Sequence, residues 1–139
     1  MGRLLKKKSS SNVAQPEDMD EKIILLADDS EMVRNFHSYI FKNAGYKIIS
    51  AIDGADALEK LLLNHVDLVA TDINMPNMDG YELVERIRGM EGYEDLPIII
   101  ISTESEAADK QKGYDVGANV YIIKPTPPDQ LLESIKLLI

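Results

Sequence analysis

From residue 22 onward, the apolar residues of this chain follow two alternating spacings. Short strand-like runs, mostly apolar, fall near 23–27, 47–51, 67–71, 97–101 and 119–123. Runs this short, bounded by polar residues, suit strands buried on both faces. Between them apolar positions recur every three or four residues, the spacing of helices with one buried face. The first helix shows Val33, Phe36, Ile40 and Ala44, with Ser30 as its N-cap and Gly45 where a terminating glycine belongs. The second shows Leu58, Leu61, Leu62 and His65 after Asp53-Gly54, and the third Leu83, Val84, Ile87 and Met90 after Asp79-Gly80. The fifth shows Leu131, Leu132, Ile135, Leu138 and Ile139, with Thr126 expected as N-cap and Pro127 at the first helical position. The fourth, roughly 105–116, is weak. Its inward candidates are Ala107, Ala108, Gln111 and either Tyr114 or Val116, and Gly113 within it costs about 1 kcal/mol relative to Ala. Such a helix is either a mildly polar surface helix or a mobile element.

Five strands alternating with five helices predict an α/β doubly wound, five-stranded parallel sheet. Right-handed crossovers and two covered faces favour the strand order 2-1-3-4-5. That order makes the first and third strands neighbours, and both end in acids: Asp28-Asp29 after the first, Asp72 after the third. Carboxyl ends of strands are where open α/β sheets bind ligands. A convergent acidic cluster wants a hard cation with oxygen ligands, Mg²⁺ being one, and beside such a cation one acid can handle a phosphoryl group. The fourth strand delivers Ser102 and Thr103 to the same rim, and the fifth delivers Lys124 followed by Pro125. Taken singly, each of these is ordinarily a turn residue, a cap or a solvated charge; their conjunction on one edge is what points to chemistry.

Charge divides the chain. Residues 1–16 carry +4 (Arg3, Lys6, Lys7, Lys8) and residues 17–139 carry −13, giving −9 in all. An acidic body argues against nucleic acid as a partner. The start lacks the apolar stretch of a secretory signal, and no apolar run is long enough to span a membrane. Residues 1–20 read as a flexible basic and polar tail, and 21–139 as one domain. The chain has no cysteine, which removes disulfides and thiolate chemistry and fits a cytoplasmic location. His37 and His65 have no metal-ligand company and are expected at surface or boundary positions. Met75, Pro76 and Met78 are expected to shape the loop after Asp72.

Four motifs, LLADDS at 25–30, TDINMPNMDGYEL at 71–83, PIIIIST at 97–103 and GANVYIIKP at 117–125, resemble the receiver domains of two-component response regulators. The likeness covers residues 22–139 and is close to the CheY-like single-domain chemotaxis type, whose fold is flavodoxin-like. The resemblance implies that Asp72 is the phosphoacceptor, forming an acyl phosphate. It implies that Asp29 binds Mg²⁺ (with Mn²⁺ as an alternative) directly and Asp28 partly through water, with Asp72 itself and the backbone carbonyl of Asn74 completing the site. Lys124 would pair with phosphoryl oxygens next to a cis Lys124-Pro125 bond, and Ser102 and Thr103 would line the phosphoryl group. Ser102 would be the switch hydroxyl, and Tyr121 the aromatic that turns inward when Ser102 moves. A sensor histidine kinase would be the donor, and a target protein would read the face made by the fourth helix, fifth strand and fifth helix. A phosphatase is a further expected partner, and a membrane is not.

These roles make electrostatic sense. Two unit charges about 4 Å apart repel by about 4 kcal/mol at an effective dielectric of 20, and a carboxylate attacking a phosphoryl group meets that barrier. A divalent cation and an ammonium offset it. Thr103 stands where many members of the family carry Ala or Gly and should narrow access; Thr126 stands where Phe is frequent. Asn74 and Glu104 match positions that tune self-dephosphorylation in the family, which implies a short-lived acyl phosphate with Thr103 pulling the other way. No output domain follows Ile139, so the chain is expected to act by binding, as an adaptor, relay or phosphate sink. It is not expected to be an enzyme beyond phosphorylating and dephosphorylating its own Asp72. One alternative is a receiver detached from a hybrid kinase or longer regulator. A remoter one is a haloacid-dehalogenase-type phosphatase, which wants an acid where Asn74 stands.

Overall fold

The computed structural model describes residues 21–139; the tail expected over residues 1–20 lies outside the described residues. The five apolar runs form strands β1 (Ile23–Ala27), β2 (Lys47–Ala51), β3 (Leu68–Thr71), β4 (Ile98–Ser102) and β5 (Val120–Ile123). They pair in parallel in the order β2-β1-β3-β4-β5, the doubly wound order expected. β3 and β4 are buried at every position, whereas β2 and β5, at the sheet edges, are partly exposed.

Helices α1 (Glu31–Asn43), α2 (Gly54–Leu63), α3 (Gly80–Arg88), α4 (Ala107–Val116) and α5 (Pro128–Leu138) cover the two faces. Period-two alternation along the strands divides the core. Leu25, Val69, Ile98 and Ile100 face Ala57 and Leu61 of α2 and Leu83, Val84 and Ile87 of α3. Ile24, Leu26, Leu68 and Ile99 face Ile40 and Phe41 of α1 and Leu131 and Ile135 of α5.

Several local expectations need correction. The buried stripe of α1 is His37, Ser38, Ile40 and Phe41, while Phe36 and Ala44 point to solvent. Phe36 and His37 are adjacent on the helix, so rotating the inward stripe by one position exchanges them. On α2 the buried positions are Gly54, Ala57 and Leu61; Leu62 is exposed, and His65 lies beyond the end of the helix and is exposed as well. Helix α5 starts one residue later than expected: Pro127 is its N-cap and Pro128 its first residue. A residue preceding proline is pushed to extended backbone, so Pro127, at ψ 140°, cannot be helical. On α4 none of the inward candidates is buried; only Gly113 is. A Cβ at Gly113 would stand 2.8 Å from the Tyr121 ring, so the glycine is there for contact, whatever it costs in helix propensity.

Candidate functional site

The strand register builds the rim. Ala27 is paired with Ala51 on one side and Thr71 on the other, so the next residues, Asp28 and Asp72, leave adjacent strands at the same height. The Asp28 N–H donates to the Ala51 carbonyl (3.1 Å) and the Asp72 N–H to the Ala27 carbonyl (2.9 Å), carrying the ladder one residue past each strand. Asp28 is buried: its carboxylate accepts from the Ser30 N–H (2.9 Å) and its carbonyl from the Arg34 guanidinium (2.7 Å). Asp29, next in the chain, is exposed. One carboxylate oxygen from each of Asp28, Asp29 and Asp72 lies within 4.8 Å of the other two. An all-oxygen, anionic donor set with one open side fits a hard divalent cation such as Mg²⁺, which keeps some of its water.

Lys124 reaches the acids from the end of β5. Its Nζ is 3.3 Å from Asp28 Oδ2 and 3.4 Å from Asp72 Oδ2. Its backbone N–H donates to the Ser102 carbonyl (2.8 Å), and the Lys124–Pro125 peptide is cis. Burial pushes the Asp72 carboxyl above the ordinary carboxylate range; the Ile73 N–H, which donates to it at 2.7 Å, and Lys124 pull the other way, while Asp28 pushes further up. The net direction is upward.

The remaining residues singled out from the sequence form a second group beside the acids. Ser102 is fully buried, and its Oγ accepts from the Glu104 N–H (3.1 Å). Thr103 is exposed. Asn74 Nδ2 donates to Glu104 Oε2 (2.9 Å), so the loop after Asp72 touches the loop after β4. Tyr121 is already turned inward: its ring is buried beside Gly113, and its hydroxyl donates to the Glu104 carbonyl (2.7 Å). Neighbouring Tyr81 of α3 donates its hydroxyl to the Asp109 carbonyl (3.1 Å), with the Lys112 ammonium 4.4 Å above its ring. Together with Lys112, Tyr81 lines an open groove of about 650 Å³ between α3 and α4, away from the acids, with no cluster of convergent catalytic groups.

His37 corrects the surface placement expected for it. It is buried, stacked on Phe41 at 6.2 Å between ring centroids, and its Nδ1 has no hydrogen-bond partner among the described residues. Burial lowers its pKa, Lys124 lowers it further and Asp28 opposes, so the ring sits neutral in the core. His65 is exposed and pairs with Asp67 (2.8 Å).

The family model for the response regulator receiver domain matches residues 24–136. Protein PilG of Pseudomonas aeruginosa is 35% identical over 113 residues, which are 81% of this chain and 84% of PilG. The sensor histidine kinase RcsC of Escherichia coli is 38% identical over 120 residues, but those cover 12% of RcsC against 86% of this chain. Among solved structures, the chemotaxis protein CheY4 of Vibrio cholerae superposes with a TM-score of 0.81 at 34% identity, over 86% of this chain and 99% of CheY4.

Proposed function

The chain belongs to the response regulator receiver domain family, and we propose that it is a phosphorylation-activated switch that accepts a phosphoryl group on Asp72 from a histidine kinase and signals by binding a partner protein. The observation that carries this reading is the geometry of the rim: three carboxylate oxygens within 4.8 Å, with the Lys124 ammonium 3.3–3.4 Å from two of the acids. Asp72 Oδ attacks phosphorus as the donor's bond to phosphorus breaks. Asp28, Asp29, Asp72 and the Asn74 carbonyl would hold Mg²⁺, with Mn²⁺ as a substitute. When bound, the cation neutralises charge between nucleophile and phosphoryl oxygens. Lys124, freed from its contact with the Asp72 carboxylate, follows the charge onto the new phosphoryl oxygens.

Output runs through the second group. A phosphoryl group brings nearly two negative charges and acceptor oxygens to the rim. The Ser102 hydroxyl, now bonded by the Glu104 N–H, is the nearby donor able to turn toward those oxygens. Releasing the Glu104 loop removes the carbonyl that holds the Tyr121 hydroxyl, and the contact between Tyr121 and Gly113 passes the change to α4. The face of α4, β5 and α5 is the surface a partner would read. The Asn74–Glu104 hydrogen bond and exposed Thr103 stand where they would govern how fast water removes the phosphoryl group, the only turnover this reading includes.

Similarity to PilG and to the chemotaxis protein CheY4, most of whose lengths the chain covers, favours a single receiver in a chemotaxis-type pathway, for which the cytoplasm is the compartment this reading adopts. Among the described residues no helix is long and apolar enough to cross a membrane. A second reading, a receiver module working as a relay within a longer sensor protein, is favoured by the likeness to RcsC. Both readings share the chemistry at Asp72. Incubation with a small phosphodonor and Mg²⁺, followed by intact mass measurement, should show one phosphoryl group on the wild type and none on Asp72→Asn. Equal uptake by the variant would remove Asp72 from the account.

A further inference from the structure

Loop 72–80 joins β3 to α3 and is pinned at points that contribute no ligand. At its base the Gly80 N–H donates to the Ile73 carbonyl (2.8 Å), and a Cβ on Gly80 would strike the Asp72 carbonyl. At its tip stands Asn77, the one non-glycine at positive φ (68°) among the described residues. Asn is one of the few residues that visit this region at low cost, and its side chain must still be held. Its Nδ2 donates to Asp53 Oδ2 at 2.7 Å. Beside it the Gly54 N–H donates to the Met78 carbonyl (3.0 Å), at an approach so close that a Cβ on Gly54 would strike that oxygen.

Asp53 does more than a helix start requires. It is buried, with no cation paired to it among the described residues. Oδ1 caps α2 by accepting from the Asp56 N–H (2.8 Å), which is all an N-cap needs and which Ser supplies as well. Oδ2 is left for Asn77. The Asp56 N–H and then the Asn77 amide hold the carboxyl below its ordinary pKa, so it stays an acceptor on both oxygens.

We infer that Asp53 and Asn77 are positioning residues for the cation site: their hydrogen bond ties the tip of loop 72–80 to the N-terminus of α2 and fixes where the Asp72 carboxylate and the Asn74 carbonyl stand relative to Asp28 and Asp29. The inference rests on the reading of the acids as an Mg²⁺ site. Groups that orient ligands without touching the metal commonly contribute tenfold or more to affinity. Two conservative variants isolate the bond. Asn77→Gly keeps a backbone suited to positive φ and removes the donor. Asp53→Ser keeps the cap and removes the second acceptor.

Mg²⁺ is titrated calorimetrically into the metal-free full chain, and amide hydrogen exchange of residues 73–78 is followed in the same metal-free protein. Each single variant should bind Mg²⁺ about tenfold more weakly. Loop exchange should rise in each, while amides of β1 and β3 stay protected. The double variant should lose little more than either single one, because one bond is removed in all three. Affinity within about twofold of wild type in both singles would overturn the inference even if loop exchange rose, because the bond would then serve the fold alone. A wild type that binds no Mg²⁺ would overturn the cation site and the inference with it, an outcome visible before any variant is compared.

Discussion

Helices α3 and α4 lie side by side on the same face of the sheet and are held by different forces. α3 buries Leu83, Val84 and Ile87 completely and starts on a side-chain cap from Asp79 to the Glu82 N–H (2.9 Å). α4 buries only Gly113. The C-terminal end of α4 is tied down by Arg88 of α3, whose Nε donates to the Gly117 carbonyl (2.9 Å) and whose Nη2 donates to Asn119 (3.0 Å). Its N-terminal end relies on the Tyr81–Asp109 hydrogen bond and on the Glu106 N–H donating to Asp109 (3.2 Å). Burying one large aliphatic side chain contributes about 1.5–3 kcal/mol, and a neutral hydrogen bond about 1. The start of α3 is thus fixed several times more firmly than the start of α4. α3 anchors the loop carrying Asp72 through a buried stripe, whereas the near end of α4 is held by hydrogen bonds to Asp109.

The largest expected effect tests the firm side. Leu83→Ala should cost about 2–5 kcal/mol in urea unfolding, while Gln111→Ala on exposed α4 should stay within about 0.5 kcal/mol. Similar losses at the two would erase the contrast. Next comes the single packed point of α4. In Gly113→Ala about 1–3 kcal/mol of overpacking against Tyr121 opposes a helix-propensity gain of about 1, so a net loss near 1 kcal/mol is expected, with a shifted Tyr121 ring resonance. A more stable variant would mean that α4 simply moves aside. Of similar size in stability but more local in reach, Tyr81→Phe should cost about 1 kcal/mol and speed amide exchange at residues 107–110 but not at 83–87. Uniform exchange would mean that this bond does not hold the near end of α4.

The last of these is a prediction of sign at the rim. Because burial raises the Asp72 pKa in the fold, its contribution is favourable only below the unfolded carboxylate pKa and is lost as pH rises through the folded value. Ionised Asp72 therefore costs stability near neutral pH. Metal-free Asp72→Asn should be more stable than wild type near pH 7, with the gain shrinking as pH falls toward about 4. A gain that grew on acidification would contradict the assignment of burial as the dominant cause.

The contrast between firm and loose parts was partly legible in the residues. Buried parallel strands read as mostly apolar runs, so the sheet, its order and the convergence of Asp28, Asp29 and Asp72 follow from pattern and topology alone. Helix phase was less legible. Val33-Phe36-Ile40 and His37-Ile40-Phe41 both obey helical spacing, and hydrophobicity ranks Phe above His. The neutral imidazole of His37 nevertheless stacks in the core while Phe36 faces water. Gly113 reads as a helix weakness because its value lies in what touches it, a contact from β5 that no local pattern shows. Asp53 and Asn77 look like an ordinary cap and an ordinary turn residue; only the fold brings them to 2.7 Å across 24 positions.

The central claim is that filling the rim moves α4 and leaves α3 in place. Amide exchange read residue by residue, with Mg²⁺ and beryllium fluoride as the phosphoryl mimic, tests it most directly. The account predicts altered exchange across residues 102–112 and at Tyr121, unchanged protection at 83–87, and no response in Asp72→Asn. Equal changes in both helices, or the same response in Asp72→Asn, would contradict it.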